Sequence, residues 1–177
     1  MAAVDQVLGL NAQDPDLPYL ALWSRLRGFA IEDLTGAIED GSLVRSTLMR
    51  ATQHVLSAPD FGLVRPLLAA LLQRVQRNTV GTRTAGVDLD ALVAETYELL
   101  ADGRVLTRPE LGRLLARSRP GADPNALGWS VQYLFPVVHP APSGTWNTRG
   151  PTPFARADRL PPPTAEQAIR LVRRYLA

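Results

Sequence analysis

The sequence predicts a mainly α-helical protein built from tandem winged helix-turn-helix units with short β-hairpins. Three observations predict this class. Apolar residues recur at helical spacing along most of the 177 residues. Capping signals and glycines divide this pattern into short helices, and two segments between the helices have hairpin character. We therefore divide the chain into a first winged-helix-like unit over residues 1–84, a winged helix-turn-helix over 85–160, and a linker with the first helix of a third unit over 161–177.

The first unit is predicted to contain two short helices, a hairpin and a long helix. Helical spacing of apolar residues predicts helices over Leu17–Leu26 and Ile31–Asp40. The stretch Leu43–Leu56 is rich in Val, Thr and Leu around a polar centre, which predicts a β-hairpin or one bent strand. The capping sequence Ser-x-x-Asp at Ser57 then predicts the start of one long helix over Ala58–Asn78.

The second unit is predicted to contain three helices and a hairpin, which is the order of a winged helix-turn-helix. Apolar residues at helical spacing predict a helix over Leu89–Asp102, and the capping box at Thr107 starts a short second helix. An aspartate followed by proline starts the third helix, over Asn125–Phe135. The segments Val137–Pro140 and Thr145–Thr148 flank a short loop and are predicted to pair as the hairpin.

Composition excludes several classes of function. The chain has no cysteine, which excludes disulfides and thiolate chemistry, and its two histidines are too few for a histidine-based metal site. We therefore expect neither a metal nor a cofactor. No apolar run is long enough for a membrane span and the first residues do not have the pattern of a signal peptide, so we expect a cytoplasmic protein.

Charge is distributed unevenly along the chain. All nineteen basic residues are arginine. Residues 1–64 have a net charge of −4, whereas residues 65–177 have a net charge of +6. Guanidinium groups suit phosphates and guanine edges, so the later part of the chain is the predicted nucleic-acid-binding part. The use of arginine in place of lysine is also typical of a GC-rich genome.

The third helix of the second unit is the predicted recognition helix. At about 100° per residue, its leucines, valine and phenylalanine fall on one arc and face the core. The opposite arc is predicted to be exposed and to contact base edges and sugars, through Asn125, Trp129, Gln132 and Tyr133. The alternative is that Trp129 and Tyr133 pack against the preceding helical unit, because large aromatic side chains are rarely left in water.

The hairpin and the segment after it supply three arginines for phosphate or minor-groove contact, namely Arg149, Arg156 and Arg159. The alternative is a solvated basic surface without a partner. A steep loss of DNA affinity with added salt would separate these interpretations.

Two amides near the start of the chain form a candidate site. In an extended segment the side chains of Asn11 and Gln13 point the same way, so the two amides are able to hold one water molecule between them. The alternative is a plain loop ahead of a helix that starts at Asp14 and Pro15.

Three ordered blocks of the sequence resemble the AlkZ/YcaQ-like DNA glycosylase family. They are LGLNAQDPDLPYLALWSRLRGF, LVRSTLMRATQHVLSAPDF and, in the predicted winged unit, WNTRGPTPF. The resemblance implies tandem winged-helix units followed by a C-terminal β-barrel, and an activity that excises N7-alkylated purines and unhooks interstrand crosslinks. It also implies that Asn11 and Gln13 occupy the catalytic Gln-x-Gln or Gln-x-Asp motif, which positions water and stabilises an oxocarbenium-like sugar.

The sequence departs from the family pattern at two motifs. Asn11 is one methylene shorter than glutamine, which withdraws its amide by roughly 1.5 Å. The block that the family writes as Arg-Gly-Thr-Leu-His is Arg50-Ala51-Thr52-Gln53-His54 here; by resemblance we expect Arg50 and His54 to contact DNA. The family's first helix and its barrel have no counterpart in these 177 residues, so we expect a truncated relative.

These observations predict a duplex-DNA-binding protein of the nucleoid, with weak or no glycosylase activity. One alternative is an active DNA glycosylase for N7-alkylated purines, with Gln13 and Asn11 as its catalytic residues. Another is a protein-interaction or oligomerisation module. The helix after Pro161–Pro163 would then form a homodimer through its apolar residues Ile169, Val172 and Tyr175.

Overall fold

A computed structural model describes residues 2–157 and 160–176. The chain forms two units, each assembled from separated segments. Unit 1 comprises residues 1–68, 139–150 and 159–177, and unit 2 comprises residues 69–138 and 151–158. These bounds differ from the sequence-based division at residues 84 and 160, because residues 69–84 pack with the second unit and residues 139–150 with the first. The prediction of a mainly helical protein is confirmed, with two small three-stranded antiparallel sheets.

Unit 1 contains five helices and three strands among the residues that the structure describes. The helices are α1 (Ala2–Gln6), α2 (Leu17–Trp23), α3 (Ile31–Glu39), α4 (Ala58–Leu67) and, near the end of the chain, α9 (Ala165–Leu176). The strands are β1 (Leu10–Asn11), β2 (Leu43–Thr47) and β3 (Gln53–Ser57), in the spatial order β1-β3-β2. The predicted hairpin over residues 43–56 is therefore present, with a 3₁₀ turn at Met49–Ala51.

The core of unit 1 lies on one face of this sheet. Val55 on β3 and Leu43 on β2 pack with Ala12, just after β1, and with the inward faces of α2 and α3, which include Tyr19 and Leu34. Burying these apolar faces against the sheet is what holds short helices in place, since isolated helices of this length are marginal in water.

The predicted single helix over residues 58–78 is wrong. The structure has α4 and then α5 (Ala69–Val80), separated at Leu68. Pro66 lies within α4 and explains the break, because proline removes a backbone donor and its ring clashes with the preceding turn. The Ser57 hydroxyl also makes no capping hydrogen bond at the start of α4.

Unit 2 contains four helices and three strands in its described part. They are α5, α6 (Leu89–Leu99), β4 (Leu106–Thr107), α7 (Arg108–Arg117), α8 (Pro124–Leu134), β5 (Val137–Val138) and β6 (Pro153–Arg156). The predicted caps at Thr107 and Asp123 are present, since each accepts a backbone N–H at the start of its helix. Asp88, which the sequence interpretation did not single out, caps α6 in the same way. Leucines of α6, α7 and α8 form the core together with Phe135 and Phe154.

Helices α7 and α8 cross at a pair of glycines. A Cβ atom on Gly112 would lie 2.1 Å from the backbone oxygen of Pro124, and one on Gly128 would lie 2.9 Å from the backbone oxygen of Arg108. Both distances are shorter than van der Waals contact. Glycine at these positions lets the two backbones approach closely, which draws α8 into the centre of the unit.

The predicted hairpin between residues 137–140 and 145–148 is wrong. Val137 and Val138 pair instead with Arg156 and Ala155 on β6. Pro140 and Pro142 cannot donate to a strand ladder, which disfavours the predicted pairing. Residues 139–150 form a loop of unit 1, which we call the unit 1 loop, and its backbone begins with a hydrogen bond from His139 N to the Arg45 carbonyl, 2.9 Å long.

The final helix docks on unit 1 along one face. Leu171 is buried, and the guanidinium of Arg174 forms two hydrogen bonds with the carboxylate of Asp60, a buried residue of α4. Within residues 2–157 and 160–176, no helix combines the length and the apolar character needed to cross a membrane.

Candidate active site and DNA-binding residues

The two candidate catalytic amides lie at the edge of the unit 1 sheet. Asn11 is paired with His54 across β1 and β3, and the next residue, Ala12, donates its N–H to the Gln53 carbonyl at 2.8 Å. Strand pairing therefore fixes the backbone on both sides of the Asn11 side chain. Gln13, one residue beyond, is exposed.

Backbone donors orient both amides. The Asn11 Oδ1 atom accepts a hydrogen bond from Gln13 N at 3.3 Å, and the Gln13 Oε1 atom accepts one from Gln53 N at 3.2 Å. The Asn11 Nδ2 group donates a long bond of 3.4 Å to the Thr52 hydroxyl. Each amide oxygen retains a second lone pair, and Gln13 Nε2 makes no hydrogen bond to a described residue. The site can therefore offer two acceptors and a donor to a water molecule or a sugar.

His54 lies beside Asn11 but inside the protein. Only 4% of its surface is exposed, and its Nδ1 atom is 3.0 Å from the Thr52 carbonyl oxygen. Burial lowers the pKa of His54 below its usual value, which favours a neutral ring. The structure places His54 inside unit 1, and its contact with DNA stays a prediction.

Arg50 lies in the exposed turn between β2 and β3. Both Arg50 and Ala51 have left-handed backbone conformations, with φ angles of 54° and 57°. The glycine that the family pattern places at position 51 would adopt this conformation without steric cost. The side chain of Arg50 remains available for the predicted contact with DNA.

Arg149 is held by carboxylates of its own chain. Its guanidinium lies 2.8 Å from Asp16 and 3.7 Å from Asp14, and the Asp16 carboxylate also accepts the N–H of Asn147 at 2.7 Å. The hydrogen bond from Arg149 lowers the pKa of Asp16. Arg149 therefore fastens the unit 1 loop to the segment that follows the two amides.

The expected exposed face of α8 is wrong at two of its four residues. Gln132 and Tyr133 are buried, Trp129 is half-buried, and Asn125 is exposed. The cause is packing within unit 2, because both α5 and α7 contact α8. The ring of Trp129 stacks on Tyr133 of the same helix, with centroids 5.8 Å apart.

Arg108 at the start of α7 lies over the ring of Trp129. Its guanidinium carbon lies 3.7 Å from the ring centroid, and its Nη1 atom donates to Gln132 Oε1 at 3.2 Å. Burial lowers the pKa of Arg108. The amide of Gln132, expected to contact a base edge, is therefore engaged inside the protein.

Of the two other predicted arginines, the structure describes only Arg156. Arg156 on β6 is exposed, and its Nη1 atom is 3.4 Å from the Tyr97 carbonyl oxygen. Arg159 lies outside the described residues.

Two features escaped the sequence interpretation. Arg45 on β2 is buried and donates to the carbonyl of Ala12, between the two amides. The signal in the sequence was an arginine among the apolar residues of a strand.

Arg113 and Arg117 on α7 are exposed, and neither forms an ion pair with a carboxylate in the described part of the chain. Their spacing of four residues places them on one face of the helix.

Comparison with known proteins finds similarity both to a family model and to a solved structure. A family model described as DNA glycosylase AlkZ-like matches residues 4–177. The solved structure of Streptomyces sahachiroi DNA glycosylase AlkZ is similar, with a TM-score of 0.74 and 23% sequence identity over 98% of this chain and 49% of that chain. At this identity the likeness shows a shared fold, and this chain spans about half the length of that protein. No curated protein sequence matches.

Proposed function

Because the chain belongs to the AlkZ-like DNA glycosylase family, we propose that it binds duplex DNA and slowly hydrolyses the N-glycosidic bond of alkylated purines. In this reaction the bond between C1′ and the base breaks and the base leaves with the bonding electron pair, while water adds its oxygen to C1′ and releases one proton to the solvent. An N7-alkylated purine carries a positive charge, so it departs as a neutral base. This activity implies association with the nucleoid.

The observation that supports a hydrolytic site is the fixed orientation of the two amides. Hydrogen bonds from the backbone N–H groups of Gln13 and Gln53 turn the oxygens of Asn11 and Gln13 into defined positions. Preorganised amide oxygens hold an attacking water and stabilise positive charge that develops on the sugar. The shorter side chain of Asn11 accounts for a slow reaction.

DNA binding is assigned to unit 2, for which we propose the winged-helix fold. Its element order α6-β4-α7-α8-β5-β6 and its sheet order β4-β6-β5 support this assignment. Because α8 is largely buried, we assign phosphate contact to the exposed Arg113 and Arg117 on α7, together with Asn125 and Arg156. Unit 1, in which α2 and α3 precede the β2–β3 hairpin, is proposed as a second winged-helix-like unit that adds Arg50.

The test is release of N7-methylguanine from duplex DNA under single-turnover conditions, detected by cleavage at the abasic site. We expect slow release by the wild type and none by Gln13→Ala. Asn11→Gln extends the amide to the length in the family motif, and a correction of about 1 Å changes such rates by about 100-fold. We therefore expect Asn11→Gln to accelerate release.

The matched control is Asn78→Gln, the same change at an exposed position of α5, which should leave the rate unchanged. Release that is insensitive to Gln13→Ala would contradict the assigned site. DNA binding without base release in either the wild type or Asn11→Gln would leave a DNA-binding protein without this activity.

A second candidate function is self-association through α9. Leu171 and Arg174 face unit 1, whereas Ile169, Val172 and Tyr175 are each more than half exposed. An amphipathic helix with an uncovered apolar face favours a homodimer in which two copies of α9 cover one another.

A further inference from the structure

Arg45 is a buried cation without a carboxylate partner. It lies on β2 with 4% of its surface exposed, and no described carboxylate approaches it within ion-pair distance. Burial lowers its pKa to about 10, so the guanidinium remains charged at neutral pH. A charge in such a position is expensive to bury. The charge of Arg45 is therefore stabilised by hydrogen bonds to neutral groups and only at longer range by Asp14.

The side-chain hydrogen bonds of Arg45 reach the segment of the two amides on one side and the unit 1 loop on the other. Its Nε and Nη2 atoms donate to the Ala12 carbonyl oxygen at 3.2 Å and 3.0 Å. This carbonyl belongs to the peptide group that joins Ala12 to Gln13. Its third donor, Nη1, reaches the hydroxyl of Ser143 in the unit 1 loop at 2.9 Å.

The unit 1 loop is shaped to receive this side chain. Gly144 has a φ angle of 92°, and a Cβ atom there would lie 2.6 Å from Arg45 Cδ. The loop also ends on the segment after the amides, through Asp16 and its bonds to Asn147 and Arg149. Arg45 thus connects the backbone of the amide pair to a loop about a hundred residues away in sequence.

We propose that Arg45 is a positioning residue of the active site, which fixes the peptide between Asn11 and Gln13 and braces it against the unit 1 loop. This inference rests on the proposed function for its catalytic consequence. The guanidinium holds the Ala12 carbonyl from the core side, while β3 holds the Ala12 N–H from the edge. With both groups fixed, the two side-chain amides leave the strand at a constant separation.

The experiment compares Arg45→Lys, Arg45→Met and Ser143→Ala with Arg174→Lys. The last variant is the matched control, because it makes the same arginine-to-lysine change at a partly buried ion pair that holds α9. Lysine at position 45 keeps the charge but loses the forked donation to Ala12. Single-turnover release of N7-methylguanine, the dissociation constant for the same duplex and the melting temperature are measured for each variant.

We expect Arg45→Lys and Arg45→Met to slow base release by about 10- to 100-fold with the dissociation constant for DNA unchanged, and Ser143→Ala to slow it less. Arg174→Lys should lower the melting temperature without slowing release by folded protein. Equal rates in Arg45→Lys and the wild type, or a rate loss that merely follows melting temperature in all variants, would overturn the proposal. If Arg45→Met does not fold, Arg45→Lys and Ser143→Ala decide the outcome.

Hydrogen exchange supplies a measurement that does not depend on activity. We expect faster exchange of the Ala12 and Gln13 amides and of the unit 1 loop in Arg45→Lys, and no such change in Arg174→Lys. If the wild type releases no base, the proposed function fails, while exchange still tests the positioning role. Unchanged exchange at Ala12 and Gln13 in Arg45→Lys would overturn it.

Discussion

Two residues near the candidate site are held by the surrounding fold in states that lower the free energy of unfolding. Ala51 holds a left-handed conformation at the β2–β3 turn, and His54 is a buried histidine whose pKa is lowered by burial. Neither feature adds to the chemistry that we assign to Asn11 and Gln13. Both are open to measurement by the stability of single variants.

Ala51→Gly should stabilise the protein. A left-handed conformation costs an L-residue roughly 1–2 kcal/mol, and glycine removes that cost while adding entropy to the unfolded chain. The free energy of unfolding should therefore rise by about 1 kcal/mol or less in urea titration. Ala94→Gly, on the exposed side of α6, is the control and should lose about 1 kcal/mol. A loss of similar size in both variants would contradict the interpretation.

His54 should make stability depend on pH on the acid side of neutrality. Its pKa is lower in the folded protein than the ordinary value of 6.5, so the unfolded chain binds more protons in the interval between the two values. Stability is then fully present above pH 6.5 and falls as the pH drops through this interval. The urea midpoint of the wild type should fall between pH 7 and pH 5, and that of His54→Gln should fall less. An identical slope in both proteins would exclude this role.

At the scale of elements, close packing of α7 against α8 decides which surfaces unit 2 presents. The glycine crossing brings α8 so near to α7 that Gln132 and Tyr133 are covered, while the far side of α7 remains in solvent. The exposed arginines of α7 therefore replace the face of α8 as the assigned DNA contact.

Substitution at the glycine crossing should weaken unit 2. In Gly112→Ala and Gly128→Ala the added methyl meets backbone atoms, and such overpacking costs typically about 1–3 kcal/mol. Gly62→Ala on α4 is the matched control: a Cβ atom there meets nothing within 4 Å, so alanine should stabilise that helix by about 0.5–1 kcal/mol. Thermal melting measures all three. Equal stability of Gly112→Ala and Gly62→Ala would show that the helices do not cross as described.

Arginines on α7 and in the unit 1 loop should differ in their effect on DNA affinity. Each phosphate contact contributes about −0.9 to the slope of log K against log salt concentration. Replacing Arg113 and Arg117 by glutamine should therefore make the slope less steep by about two. Arg149→Gln should change it little, because Asp16 already holds that guanidinium. A larger effect from Arg149→Gln would reverse the assignment.

At the scale of the whole molecule, folding redistributes the charge that the sequence concentrates in its later part. Leaving aside Asp158 and Arg159, unit 1 has nine arginines and nine carboxylates, and unit 2 has nine arginines and seven carboxylates. The contrast of −4 and +6 along the sequence is thus reduced to 0 and +2 between the units. A difference of two charges between the units is too small to support the proposed assignment of DNA binding to unit 2, so that proposal depends on the exposed Arg113 and Arg117 of α7.

Oligomeric state is the prediction that belongs to the whole molecule. If two copies of α9 cover one another, light scattering should give the mass of two chains at micromolar concentration, and Val172→Glu should give one. Leu20→Glu makes the same kind of change at an exposed apolar residue of α2 and should leave the dimer intact. A monomer at every concentration would exclude self-association through α9.

The sequence by itself determined the features that depend on neighbouring residues. Capping at Thr107 and Asp123 and the β2–β3 hairpin follow from local hydrogen bonding and periodicity, and the structure has each of them. The sequence blocks, including the one that contains Asn11 and Gln13, were sufficient to identify the family. These signals act within a few residues, so the structure retains them where no longer-range contact competes for the same groups.

Only the tertiary structure decided the pairing of β5 with β6, the burial of α8, and the contacts of Arg45 with Ala12 and Ser143. Each joins residues that are distant in sequence, and each is the outcome of competition for the same backbone donors and the same buried surface. Local sequence patterns cannot decide between such alternatives, because the arrangement of lowest free energy depends on which surfaces the other segments of the chain bury.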